Sequence, residues 1–213
     1  MNDNHKIKSI KPIVIFGAGG HASVLLEILI LCDRNVIGIV DPMIKEAEGF
    51  ESVPFITYEE FLKDYSPEDV EVVNGIGFMP GSSSREDLAN KLRESRYKFV
   101  SLIHPSAIIA RNVEIGEGAQ IMANSVLQPN VKIGSDTIIN TSCSVDHHSV
   151  IGKKCHIAPG VVLSGGVNIA DSSFIGAGSI IINDLNIGKN VIVAAGSIIY
   201  KDLPDYTKLI QKK

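Results

Sequence analysis

Counted in sixes from Ile103, the chain places an aliphatic residue at every step: Ile103, Ile109, Ile115 and onward without a break to Ile187, Val193 and Ile199. Seventeen consecutive positions obey the period, and no insertion interrupts it. The residue two places earlier is mostly small or β-branched, as at Ala107, Val113, Ala119, Ser125, Val131 and Thr137, and glycine often follows the aliphatic residue, as at 116, 134, 152, 176 and 188. Such a pattern specifies a parallel β-helix built from hexapeptides. Each hexad is one short strand and a turn, with the aliphatic residue pointing inward beside the small one. Three hexads close a triangular coil of eighteen residues, and successive coils stack about 4.8 Å apart. Seventeen hexads make between five and six coils. Asn124, Asn130, Asn140, Asn168, Asn183, Asn186 and Asn190 suit the turns because asparagine tolerates left-handed backbone. Cys143 and Cys155 fall on the small-residue position and are expected to fill the core.

The period also assigns neighbours. Residues eighteen apart share a column, so Asn140, Ala158, Gly176 and Ala194 are expected to line one edge, with backbone N–H and C=O groups uncovered beside a groove. His147 is expected directly below Gly165. The stretch SVDHHSVIGKKCHIAPG gathers Asp146, His147, His148 and His156. His148 falls in a turn, where a solvated role is expected.

Residues before about 100 read differently: they hold the helical patterns HASVLLEILILCD and SREDLANKLRESR. Two domains follow, 1–100 and 101–213, the first a small α/β Rossmann-like βαβ unit and the second an all-β helix with a C-terminal cap. In KPIVIFGAGGHASVLLEIL a buried strand runs through a glycine turn into a helix. Gly17, Gly19 and Gly20 let a ligand approach the backbone, and the helix N-terminus behind them favours an anion. The spacing is not the full dinucleotide fingerprint. A second strand, NVIGIV, ends at Asp41, about where a ribose-binding acid sits. A third, VEVVNGIG, carries glycine at its carboxyl end.

Composition excludes several classes. The net charge of −4, with no lysine- and arginine-rich face, gives no footing for nucleic acid. The apolar run IVIF is too short to span a membrane or to form a signal-peptide core. Three cysteines without CxxC spacing argue against a disulfide framework and for a reducing, cytoplasmic setting.

The unbroken hexads together with INTSCSVDHHSVIGKKCHIAPG resemble the left-handed β-helix hexapeptide acyltransferases. IVIFGAGGHA narrows the resemblance to the family of sialic-acid O-acetyltransferases and bacterial nucleotide-linked 4-amino-sugar N-acetyltransferases, most of all those acting on UDP-4-amino sugars of the bacillosamine pathway. The resemblance implies a homotrimer with active sites between subunits, acetyl-CoA as cosubstrate and no metal. It implies His147 as general base with Asp146 beside it, and Gly165 as the amide facing the oxyanion. His156, Asn140, Ala158, Gly176, Ala194 and Ala195 are implied to contact acetyl-CoA. In the first domain Gly17, Gly19, Gly20, His21, Asp41 and Gly77 are implied to hold a nucleotide-sugar. The chain departs from the family in the longer loop IGFMPGSSSR before Arg85 and in lacking a G-x-P-A-K ending.

These residue types fit that chemistry. An amine attacking a thioester must lose a proton, and imidazole accepts one near neutral pH. A neighbouring carboxylate can orient the ring, although neighbours in an extended strand point apart. The expected activity is N-acetylation of the C4 amino group of a UDP-linked 4-amino-4,6-dideoxy sugar. O-acetylation of sialic or a related nonulosonic acid is the alternative, as is N-acetylation of a dTDP- or GDP-linked amino sugar. A zinc-dependent carbonic anhydrase shares the β-helix but has no reason to carry the first domain. A noncatalytic scaffold has no reason to set Asp146–His147 in phase with Gly165.

Overall fold

The computed structural model describes residues 11–43 and 47–210. Its first part is a four-stranded parallel sheet of β1 (Ile13–Phe16), β2 (Val36–Val40), β3 (Phe55–Ile56) and β4 (Glu71–Asn74), in the order β3-β2-β1-β4. Alternation along β1 sends Ile13 and Ile15 to one face and Val14 and Phe16 to the other. Helix α1 (Gly20–Leu31) buries Leu25 and Leu29 against the first face. Helices α2 (Tyr58–Asp64) and α3 (Ser84–Glu94) bury Phe61 and Leu92 against the second. Thr57 starts α2 with a capping box, its side chain accepting the Glu60 N–H while the Glu60 carboxylate accepts the Thr57 N–H. Glu86 and Asp87 in the first turn of α3, with Lys91 and Arg93 in its last, complement the helix dipole. The strand β3 and helix α2 were not singled out by the sequence pattern.

No linker separates the sheet from the second part. Val72 accepts the N–H of Val100 and donates to Lys98 at the sheet edge, and Leu102 is already hydrogen-bonded to Ala119 in the first coil. From there the two-residue strands, all parallel, form three faces of a triangular prism. The first face has seven strands from Leu102–Ile103 to Lys208–Leu209, the second six from Ile108–Ile109 to Ile198–Ile199, and the third five from Glu114–Ile115 to Asn186–Ile187. From Ile121 to Ile199 every sixth aliphatic residue is buried; Ile103, Ile109 and Ile115, nearest the open base, are half-buried. Full burial of each such side chain contributes about 1.5–3 kcal/mol.

The turns follow one rule. A residue with positive φ recurs every sixth position from Asn112 to Gly196, through Gly118, Asn124, Asn130, Asp136, Ser142, His148 and Lys154. Only Asn124, Asn130 and Asn190 of the seven turn asparagines hold this left-handed position; Asn168 and Asn186 are strand residues facing outward. The left-handed step is therefore met by several residue types, and asparagine alone was an incomplete guide to it.

The three faces have different outer surfaces. The first carries the N-terminal domain: Leu102, Met122 and Ile138 share one core with α1 and β1. The third is polar, with Glu114 paired to Lys132 and with Asn168 and Asn186 above. The second presents Ile108, Val162, Ile180 and Ile198, which are 63%, 40%, 39% and 64% exposed. Among the described residues no helix is long and apolar enough to cross a membrane.

Candidate active site

At the edge between the second and third faces, Asp146, His147 and His148 form one turn. His147 and Gly165 stack as the period requires: His147 O accepts the Gly166 N–H, and the imidazole lies where a Gly165 side chain would be. A Cβ on Gly165 would come within 2.5 Å of His147 Cε1 and 2.9 Å of Nε2. Glycine is thus required by the ring above the turn. The Gly165 N–H donates to no acceptor among the described residues. Asp146 makes no hydrogen bond to the His147 ring among the described residues. Its carboxylate accepts the backbone N–H of His147 at 2.7 Å, while the ring's Nδ1 meets Nδ1 of His148 at 3.1 Å. The reason is the one that separates neighbours along any strand: the Asp146 side chain caps its own turn.

His156 is on the first face, not on this edge. It sits in the seam between the domains, edge-on to Phe78 and Phe174, which stack on each other at 5.7 Å. Asn140 Nδ2 donates to His156 Nε2 at 3.1 Å, and the Asn140 Oδ1 is held by the Thr141 N–H. Nε2 is therefore the acceptor and the neutral ring carries its proton on Nδ1. That Nδ1 is buried with no partner among the described residues. Burial, then the nearby His21 and Arg85, lower the His156 pKa to about 4. An uncharged ring with one unmatched buried donor faces the seam.

His21 stands on the domain side of the same seam. Its Nε2 donates to Gln120 Oε1 at 2.7 Å, and Gln120 Nε2 donates to Asn74 O. Burial and Arg85 lower its pKa to about 4 as well. Arg85 is 8% exposed, donates to the carbonyls of Asn74 and Ile76, and is lowered to about 10 by burial. A cavity of about 270 Å³ opens beside it, bounded by Asn74, Gly77, Phe78 and Lys154.

The remaining first-domain residues gather at the carboxyl ends of β1, β2 and β4. Strand order reverses beside β1, and ligand crevices of open parallel sheets form at such points. Gly17 has φ +105 and lies against Gly75 and Ile76, with 3.1 Å from its absent Cβ to the Gly75 carbonyl carbon. Gly19 and Gly20, at the start of α1, have open space beside them. Gly77 lies against His21. Asp41 binds backbone: Oδ2 accepts the Ala18 N–H and Oδ1 the Met43 N–H, each at 2.9 Å.

Asn140, Ala158, Gly176 and Ala194 do stack, at the edge between the first and second faces. Their N–H groups are not left uncovered, however: each donates to the next coil, to Ile157, Ile175, Val193 and Leu209. The ladder itself uses the backbone that the small residues were expected to expose. Gly176 has no room for a side chain, since a Cβ would lie 2.4 Å from Ala195 N. This column and His147 occupy different edges of one prism, with the apolar second face between them.

The buried thiols are inert: burial pushes Cys143 up to about 11 and Cys155 up to about 12. No cluster of three or more His, Cys, Asp or Glu able to hold a metal occurs among the described residues. Sequence reasoning missed the seam residues Phe78, Asn74, Gln120 and Phe174. Phe174 is the one phenylalanine among the outward-facing strand positions of the hexads, the one local signal that any of them gave.

Residues 12–99 match the PglD N-terminal domain, and residues 112–144 and 130–165 match the bacterial transferase hexapeptide family of six repeats. A UDP-N-acetylbacillosamine N-acetyltransferase of Bacillus subtilis (strain 168) is 34% identical over 119 residues, covering 54% of this chain; the match spans about half of that relative, 52% of its length. Among solved structures, a GDP-perosamine N-acetyltransferase variant from Caulobacter crescentus, in complex with CoA and GDP-perosamine, superposes with a TM-score of 0.84. It is 33% identical, over 94% of this chain and 93% of that one. The acetyltransferase domain of PglB from Neisseria gonorrhoeae FA1090, in complex with acetyl coenzyme A, gives a TM-score of 0.84 at 27% identity, over 93% and 95% of the two chains.

Proposed function

We propose that this chain, which belongs to the family of left-handed β-helix nucleotide-sugar N-acetyltransferases with a PglD-type N-terminal domain, moves the acetyl group of acetyl-CoA onto the 4-amino group of a nucleotide-linked sugar. The acceptor we favour is a UDP-linked 4-amino-4,6-dideoxy sugar. The observation that carries the reading is the pairing of an exposed imidazole, His147, with the unengaged N–H of Gly165 at the next coil. A base and an oxyanion donor thus stand one rung apart.

In this reading the amine nitrogen attacks the thioester carbonyl and forms the C–N bond. His147 accepts the amine proton at a ring nitrogen, and the C–S bond then breaks. The thiolate of CoA leaves and is protonated, giving the amide and free CoA. The Gly165 N–H faces the tetrahedral oxyanion; removing one such donor costs about 3 kcal/mol in well-studied acyl transfers. The unmatched Nδ1–H of His156 suits a carbonyl of the coenzyme's acyl end. Gly17, Gly19, Gly20, His21 and Gly77 surround the crevice proposed for the nucleotide-sugar, and Asp41 shapes its loop by holding Ala18 and Met43.

The arrangement of edges favours a homotrimer. His147 and the Asn140–Ala194 column are on opposite borders of the second face, whose outer surface is apolar. Packing three prisms about that face brings one chain's His147 edge to another's coenzyme column. Analytical ultracentrifugation is expected to give a trimer at micromolar concentration, and a fully active monomer would refute the shared site.

The enzymatic test is thiol release from acetyl-CoA with UDP-, GDP- and dTDP-linked 4-amino sugars and with free sialic acid. Turnover with one amino sugar is expected. Turnover with sialic acid alone would assign O-acetylation to the same site.

A further inference from the structure

His148, a turn residue with no assigned part, is in contact with the proposed base and is held from behind. Its Nδ1 lies 3.1 Å from Nδ1 of His147, the two rings nearly perpendicular at 78°. Its Nε2 lies 3.2 Å from Asn130 Nδ2, one coil below. Asn130 Oδ1 in turn accepts Asn112 Nδ2 at 3.4 Å, a further coil down. Asn112, Asn130 and His148 all hold the left-handed turn position, with φ of 60, 64 and 59. The coil repeat therefore stacks them in one line that ends on His147.

A hydrogen bond between two Nδ1 atoms holds one proton, so the protonation of each ring fixes that of the other. In the arrangement found here Asn130 donates to His148 Nε2. His148 then carries its proton on Nδ1 and donates to His147, which keeps its own proton on Nε2. Nε2, which lies on Gly165, has no lone pair to offer in that sense. If the Asn130 amide turns over, every bond reverses. His148 Nε2–H donates to Asn130 Oδ1, His148 Nδ1 accepts the Nδ1–H of His147, and His147 Nε2 is free to take a proton.

We propose that His148 is the positioning residue of the base: held by Asn130, it selects the tautomer of His147 and accepts the Nδ1–H of the imidazolium that forms when the amine is deprotonated. The bond to the imidazolium is charge-assisted and stronger than its neutral counterpart. The Asp146 carboxylate accepts the His147 backbone N–H through Oδ1 and makes no hydrogen bond to the ring among the described residues, whereas His148 does. The other charged residues on the turns of this edge are Arg111 two coils below, Asp184 two coils above, where Asn183 Nδ2 donates to it, and Lys201 and Asp202 beyond. The inference rests on His147 being the base.

Asparagine and aspartate both accept left-handed backbone, so His148→Asn and Asn130→Asp test the line without straining the turn. An aspartate at 130 accepts only, which locks the sense that frees His147 Nε2. The expected results are a fall in kcat of about tenfold for His148→Asn with KM for both substrates unchanged, and retained kcat with the acid limb of the pH–rate profile moved to higher pH for Asn130→Asp. In the His148→Asn background, Asn130→Asp is expected to be silent, because the line is cut. Wild-type kcat and superimposable profiles for both variants, beside a dead His147→Ala, would overturn the role of His148 and leave the base in place. An equal Asn130→Asp shift in both backgrounds would overturn it too, as a plain charge effect. An active His147→Ala would remove the base reading and the inference with it.

Discussion

His147 and His156 are nine positions apart in sequence, yet they occupy two unlike surroundings. The first stands on an outer edge in the open, under a glycine and against a second imidazole. The other lies in the seam between the domains, walled by Phe78 and Phe174, its pKa lowered to about 4 by burial. One ring is exposed to solvent; its counterpart is kept neutral, accepts from Asn140 at Nε2 and has only a donor, Nδ1–H, left unmatched. On a prism whose faces alternate every six residues, proximity in sequence says little about shared surroundings. The face on which a residue falls decides what chemistry it can do.

That contrast can be broken or sharpened experimentally. The largest effect is expected from His147→Ala, a loss of at least about a hundredfold in kcat, the scale of a missing general base. Steady-state kinetics that leave kcat within a few-fold of wild type would erase the distinction between the two histidines. Gly165→Ala comes next. Its Cβ would displace the His147 ring, lying 2.5 Å from Cε1, and Gly165 has no positive φ to strain. We expect kcat to fall about tenfold or more while the melting temperature changes little. A similar loss of both would make Gly165 a folding residue.

His156→Phe keeps an aromatic ring against Phe78 and Phe174 but deletes the unmatched donor. KM for acetyl-CoA should rise about tenfold, the scale of one hydrogen bond, with kcat less affected. An unchanged KM would detach the seam from coenzyme binding. The smallest effect is thermodynamic. His21 and His156 have folded pKa values of about 4, below the ordinary 6.5. As pH falls the unfolded chain binds these protons first, so their neutral burial favours the fold fully above pH 6.5 and progressively less down to pH 4. Each ring contributes a slope of up to about 1.4 kcal/mol per pH unit within that window. Urea denaturation across it should show the slope, and His156→Phe should reduce it by about half.

The β-helix was legible because its determinants are local and repeated: an inward aliphatic residue, a small partner and a turn, seventeen times over. The stacking of His147 under Gly165 followed from the same arithmetic. Side-chain direction did not follow: whether the Asp146 carboxylate met the imidazole could not be read from adjacency, and in the structure it accepts the His147 backbone N–H. The seam was illegible for a different reason. His21 and Gln120 are 99 residues apart, and no periodicity links a sheet domain to the face it covers. The loop IGFMPGSSSR stood out as unusual, but that its phenylalanine caps His156 depends on how the two domains meet.

The left-handed residue at every sixth position has one more consequence. It is the step of the coil with the most demanding backbone, and its side chain is exposed at Asn112, Asn124, Ser142 and His148, while that of Asp136 is buried against Arg93. Each such step is a mounting point, spaced at regular intervals along three edges. Most carry glycine or a small polar residue, and one of these, Asp136, ties the prism to Arg93 of α3. At 148 the mount carries an imidazole, and chemistry is added there without disturbing a single rung of the ladder.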